Sequence, residues 1–235
     1  IRNHFKLGPV KYHNVVASIK GTKYPDEYVI ISGHLDSYDV ATGGIDCGTG
    51  IGPMMEAARM IALSGAKPKR TILFVAFAGE EFGLLGAKAY VKTHAKELGK
   101  IANLFNRDGG PTPPVGISVP QAMYDDFVEV CKPVKEIRAD YPFEVKVAKP
   151  FKRPTQSGGT DASVFAVEGV PTFGFNTQDI KGYNFSYGEI WHTERDLYTK
   201  NIPEYQEHAA TVTAVVALGI ANLSKQLSRE GMHKK

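Results

Sequence analysis

Cysteine is scarce: Cys47 and Cys131 are the only two in 235 residues. Two thiols cannot build a disulfide framework, and their separation suits no cysteine-based zinc site. Both read as small, semi-buried residues. Charge of one sign is scarce too. The 28 basic and 25 acidic side chains leave a formal net charge of +3, the signs alternate along the chain, and no basic run interleaves with aromatics. A nucleic-acid partner is therefore not expected. No apolar run reaches the roughly 18 residues that a membrane span needs. The chain opens on Ile1 rather than Met, with no charged-then-apolar leader, and reads as a processed product or a fragment. Nothing in the sequence speaks to oligomeric state.

What is present is an ordinary globular composition, 43% hydrophobic and 23% charged, with length enough for one sizeable core. Residues 14–20 and 27–32 read as strands parted by the turn-rich GTKYPD. Ile51, Met54, Met55, Ala58, Ile61 and Ala62 recur at helical spacing and predict a helix over 51–64. The run TILFVAFA at 71–78 is continuously apolar, as in a strand buried on both faces. Further helices are predicted over 80–98, 121–137 and 160–168, and over 203–227, where Pro203 suits the first helical position. Strands are predicted over 101–107 and 170–176, with long loops at 149–160 and 177–191. This alternation predicts a single α/β domain with a mostly parallel sheet.

In such a sheet, ligands bind beyond the carboxyl ends of the strands. There, or in the loops beyond, lie His34 and Asp36 (GHLDS), Asp46 (GGIDCGTG), Glu80 and Glu81 (AGEEFG), Asp108 (NRDGG) and His192 (WHTERD). Singly, each is a turn former, a cap or a structural histidine. Together they match the needs of two metal ions. Ions about 3.5–4 Å apart repel one another and require carboxylates, one of them bridging. Three carboxylates and two imidazoles give each ion three protein ligands and leave room for a water. Of the adjacent Glu80 and Glu81, whose side chains diverge, one can bind metal while the other takes a proton from the water and passes it to the leaving amine. Asp36, two residues after His34, suits a carboxylate that fixes the imidazole tautomer.

The ordered set HLD, Asp before a Gly-rich helix start, EE, NxD, and HT followed by an Asp resembles peptidase family M28, from about Val15 to Leu223. The resemblance implies a three-layer α/β sandwich around a central mixed sheet, and a zinc exopeptidase catalytic domain across residues 1–235. It implies that Asp46 bridges two zinc ions. Glu81 and His192 would complete one site, His34 and Asp108 the other, with Glu80 as general base. Gly159 and Thr160, in SGGTD, would lie at the substrate pocket. A cis peptide often follows the bridging Asp in this family, where the present chain has Cys47 in place of the usual Asp or Asn. The tyrosine that steadies the oxyanion in some members has no counterpart by position, and Tyr183 or Tyr187 could stand in.

Two rivals fit less well. A related metallopeptidase architecture inserts roughly a hundred residues before the last histidine, whereas Asp108 and His192 are only 84 apart (192 − 108). Glutaminyl cyclases bind one zinc, and retention of both histidines argues against that chemistry. A receptor-like homologue would have lost metal ligands that this chain keeps. The Phe- and Tyr-rich stretch 173–191 implies an apolar pocket, so an aminopeptidase removing a neutral or apolar residue is expected, with dipeptide or C-terminal glutamate cleavage second. For a carboxylate terminus, Lys152, Arg153, Lys181 and Arg195 are the available cations. By resemblance alone, the chain is expected to be the C-terminal part of a longer secreted or periplasmic precursor.

Overall fold

A computed structural model describes residues 2, 4 and 8–234. Strands β1 (Val15–Ile19), β2 (Tyr24–His34), β3 (Arg70–Phe77) and β4 (Ile101–Asn106) form a sheet in the order β1-β3-β2-β4. β2 runs parallel to β3 and to β4, and β1 is an antiparallel edge on β3. A second ladder places β5 (Pro114–Pro120) between β6 (Glu144–Ala148), parallel to it, and β8 (Phe175–Thr177), antiparallel. A short pair joins β7 (Phe151–Lys152) to β9 (Met232–Lys234).

The first two ladders meet at β4. The Leu104 N–H donates to Pro171 O at 2.9 Å, and the Asn103 side chain accepts from Phe173 N–H (3.2 Å) and donates to Phe173 O (3.1 Å). The strand expected over 170–176 is thus ladder-paired only at its end. Pro171 has no N–H to give, and a side-chain amide carries the preceding residues.

Successive strand residues face opposite layers, and the core divides accordingly. Val29, Ile31, Ile72 and Phe74 pack with α1 (Gly48–Leu63), α3 (Tyr124–Ile137) and α5 (Pro203–Asn222). Ile30, Val75, Phe77 and Leu104 pack on the other face with α2 (Leu85–Thr93) and α4 (Asp161–Val167). The architecture is therefore the expected mixed sheet flanked by helices. Fully burying such a side chain contributes about 1.5–3 kcal/mol. A Cβ on Gly50 would meet Arg107 O at 2.2 Å, so only glycine lets α1 start this close to the exit of β4.

Several element boundaries depart from the sequence reading. The helix expected over 80–98 begins only at Leu85, because residues 80–84 form a tight turn ending on Leu84 at φ +60°. The helix expected to reach residue 227 stops at Asn222. β5, β6 and β9 were not anticipated, and β7 lies inside an expected loop. β5 begins and ends on proline, which hides a strand from propensity reading.

His208, fully buried in α5, stacks on Tyr141 at 4.0 Å and bonds through Nε2 to Pro114 O at 2.9 Å. Burial pushes its pKa down to about 4, with nearby Arg138 and Arg107 adding and the Pro114 carbonyl and Asp140 opposing. The unfolded chain therefore gains a proton near pH 6.5 that the folded chain refuses until about pH 4. Its stabilising contribution is complete above pH 6.5 and is lost as the pH falls toward 4. Between pH 7 and pH 5 this loss should be roughly 2 kcal/mol. Urea unfolding at the two pH values should show that loss in the wild type, and a correspondingly smaller one in His208→Gln. Equal losses in both proteins would remove His208 from the account.

Candidate metal centre

Because β2, β3 and β4 are mutually parallel in the sheet, their carboxyl ends open on one edge. His34 ends β2, the turn after β3 carries Glu80 and Glu81, and Asp108 follows β4 by two residues. The loop after His34 returns as Asp46 just before α1, and the turn holding His192 arrives from beyond β8. The five expected ligands converge. His34 Nε2 lies 2.9 Å from Asp46 Oδ1 and 3.4 Å from Asp108 Oδ1, while His192 Nε2 lies 2.9 Å from Glu81 Oε2. One donor atom from each of His34, Asp46 and Glu81 falls within 4.8 Å of the others. Glu81 Oε1 is buried and has no hydrogen-bond partner among the described residues.

Burial opposes a charge on the His34 ring, yet the hydrogen bonds to Asp108 and Asp46 outweigh it and push the pKa up to about 12. A cation held at Nε2 would take the place of the proton there and leave the ring neutral. Its Nδ1–H is anchored on the Asp36 carbonyl at 2.9 Å, which leaves Nε2 facing Asp46 and Asp108. This arrangement, with the orphaned Glu81 oxygen and a donor set of imidazoles and carboxylates, fits divalent cations. His34, Cys47 and Asp108 also cluster within ligating distance of one another. The thiol is already committed: it donates to Arg107 O at 2.9 Å, and burial pushes it up to about 12. A neutral thiol is not a metal ligand. The Asp46–Cys47 peptide is cis.

Asp36 stands elsewhere than expected. Its carboxylate is 3.8 Å from the His34 ring and accepts instead from the backbone N–H groups of Glu80 (3.0 Å) and Glu81 (3.1 Å). It is the backbone carbonyl of Asp36, not the carboxylate, that fixes the tautomer. Asp196, the acid closing the WHTERD motif, does the matching work for the first loop. It is buried and accepts from Ile45 N–H at 2.7 Å and Asp46 N–H at 3.2 Å. The strand-end pattern did not single it out, although the HT-then-Asp spacing contains it. Asp161, inside SGGTD, is also fully buried, with both oxygens unpartnered; burial pushes it up to about 7, Asp108 and Asp36 adding and His34 opposing.

A cavity of about 600 Å³ opens over these groups, lined among others by Glu80, Gly159, Thr160, Tyr187 and Trp191. Burial pushes Glu80 up to about 8, Asp108 adding. Tyr187 is raised by burial and by the negative charge of Asp46. Tyr183 does not line the cavity, because its hydroxyl donates to Glu204 on α5. Nor do the four cations considered for a carboxylate terminus. Lys181 binds Glu204, Arg153 donates to Val167 O at 2.6 Å, and Lys152 belongs to β7. His192, at φ +57°, is held between Tyr38 and Trp191, with ring centroids 4.3 and 4.1 Å away.

A parallel-centred α/β sandwich that gathers imidazoles and carboxylates beyond its strand ends is a metallopeptidase-type domain. The chain belongs to peptidase family M28, whose family profile matches residues 14–216. It is similar to carboxypeptidase Q of Rattus norvegicus, at 32% identity over 231 residues, covering 96% of this chain and 46% of that protein. Among solved structures, a peptidase M28 precursor from Shewanella amazonensis SB2B matches with a TM-score of 0.75 and 34% identity, over 92% of this chain and 46% of that one. A zinc aminopeptidase from Bacillus subtilis shares the fold, with a TM-score of 0.67 and 21% identity over 94% of this chain and 53% of that one. The chain thus spans about half the length of these relatives.

Proposed function

We propose that residues 1–235 form the catalytic domain of an exported two-zinc exopeptidase that removes a neutral or apolar N-terminal residue. The observation that carries the reading is that His34 meets Asp46 and Asp108, His192 meets Glu81, and Glu81 groups with His34 and Asp46 while keeping a buried oxygen without a partner. Asp46 would bridge, with His34 and Asp108 on one ion and Glu81 and His192 on the other. Bound zinc would supply Lewis acidity, polarising the scissile carbonyl and acidifying the attacking water.

The chain's own residues do the rest. Glu80 lines the cavity without being committed to a histidine, and its backbone is fixed by Asp36. It takes the proton as water attacks the carbonyl carbon, then delivers it to the nitrogen as the C–N bond breaks. Tyr187 lines the same cavity, and its hydroxyl would donate toward the developing oxyanion. Gly159 and Thr160 form one wall, and Leu84 and Trp191 supply apolar surface for the first side chain.

A substrate panel tests this. Leucyl p-nitroanilide should be cleaved at least tenfold better than lysyl p-nitroanilide, and N-acetylation should abolish cleavage. Release of C-terminal glutamate from N-blocked peptides, with no anilide hydrolysis, would sink the aminopeptidase reading.

A further inference from the structure

One cation does line the cavity, and it is not one of those singled out by sequence. Lys88 lies in the first turn of α2, on the exposed face of the helix. Its Nζ donates to Gly83 O at 2.8 Å. An ammonium carries three donors, and among the described residues this is its only hydrogen bond and it forms no ion pair. The cavity holds four carboxylates, those of Asp46, Glu80, Glu81 and Asp108, yet none of them pairs with it. Two of its donors are therefore uncommitted, on a side chain that lines the cavity.

The position is set by the turn after β3. The Gly83 N–H bonds to Glu80 O at 2.9 Å, and Leu84 adopts the left-handed conformation that starts α2. Gly83 is two residues past Glu81, so their Cα atoms can be no more than about 7.6 Å apart. A substrate residue also advances about 3.8 Å per Cα. Lys88 and Glu80 line the same cavity, so a chain that sets its scissile carbonyl against Glu80 carries its next one or two residues through the space that Lys88 borders.

We propose that Lys88 is a specificity-determining residue that reads a substrate carboxylate just beyond the scissile bond. This rests on the exopeptidase reading of the same cavity. The carboxylate is either the free C-terminus of a dipeptide or an acidic side chain on the residue after the cut. Because Lys88 is solvent-exposed, the preference is modest, about three- to tenfold, as for a partly screened ion pair.

Two matched pairs separate the sources: Leu-Gly against Leu-Gly-NH₂ for the terminal carboxylate, and Leu-Glu-NH₂ against Leu-Gln-NH₂ for the side chain. In the wild type, the charged member of at least one pair should show the lower KM. Lys88→Met should erase that preference while changing kcat/KM for Leu-Gly-NH₂ less than twofold, and Lys88→Arg should retain it. A lysine that only ties Gly83 would instead lower every substrate equally in the Met variant, and that result overturns the proposal. So does a wild type indifferent to charge in both pairs. Calorimetric titration of the zinc-loaded protein with the same peptides reads the preference without turnover. A chain that binds with this preference but does not hydrolyse would fail the exopeptidase reading and keep this one.

Discussion

Replacing Glu80 with Gln should lower kcat by about 10²–10⁴-fold, the range a positioned general base contributes, while metal content stays at the wild-type value. The two neighbouring glutamates occupy different surroundings, and this decides between them. Glu81 Oε2 is 2.9 Å from the His192 ring, and its other oxygen is buried beside the same cluster. Glu80 lines the cavity and pairs with neither histidine. Burial, reinforced by Asp108, pushes it toward the protonated form, as expected of a carboxylate suited to exchanging protons near neutrality. Glutamine preserves the shape and removes the basic oxygen. The backbone N–H that anchors residue 80 on Asp36 also remains, so the turn should survive. Steady-state kinetics together with atomic-emission metal analysis check the claim. A variant that kept more than a tenth of wild-type kcat would transfer the role to another group.

The gathering of the proposed ligands was legible because parallel strands deliver their carboxyl ends to one edge, and each of these residues lies near such an end or in a loop returning to it. What the side chains do there depends on partners distant in sequence. Asp36 looks like a partner for His34, two residues away, yet its carboxylate reaches the turn after β3, more than forty residues on. Tyr183 and Tyr187 sit four residues apart in an irregular loop without periodicity. Glu204 captures the first, while the second lines the cavity beside Asp46, and nothing local distinguishes them. The helix over 80–98 was overread because apolar spacing continues through residues that Asp36 and the left-handed Leu84 hold as a turn. Lys88, on an exposed helix face, has the sequence signature of any solvated lysine.

Metal removal should produce the other large effect. A ligand that binds only the folded state adds about 4 kcal/mol of stability at a thousandfold excess over its Kd. In a chain of this size each kcal/mol moves Tm by about 2–4 °C, so chelation should lower Tm by roughly 10 °C, with zinc restoring it. The direction follows from the site itself. Without cations, Asp46 and Asp108 share the single charge of His34, Glu81 leaves one oxygen unpaired, and Asp161 is buried with no partner. Zinc analysis of the untreated protein should give two equivalents per chain. Asp46 adjoins His34 on one side and groups with Glu81 on the other, so Asp46→Ala should release both ions. Asp108→Ala and His192→Ala, each confined to one side, should release one. A wild type that held a single equivalent, or an Asp46→Ala protein that kept one tightly, would show that Asp46 does not bridge, and the two-ion account of the site would fall with it.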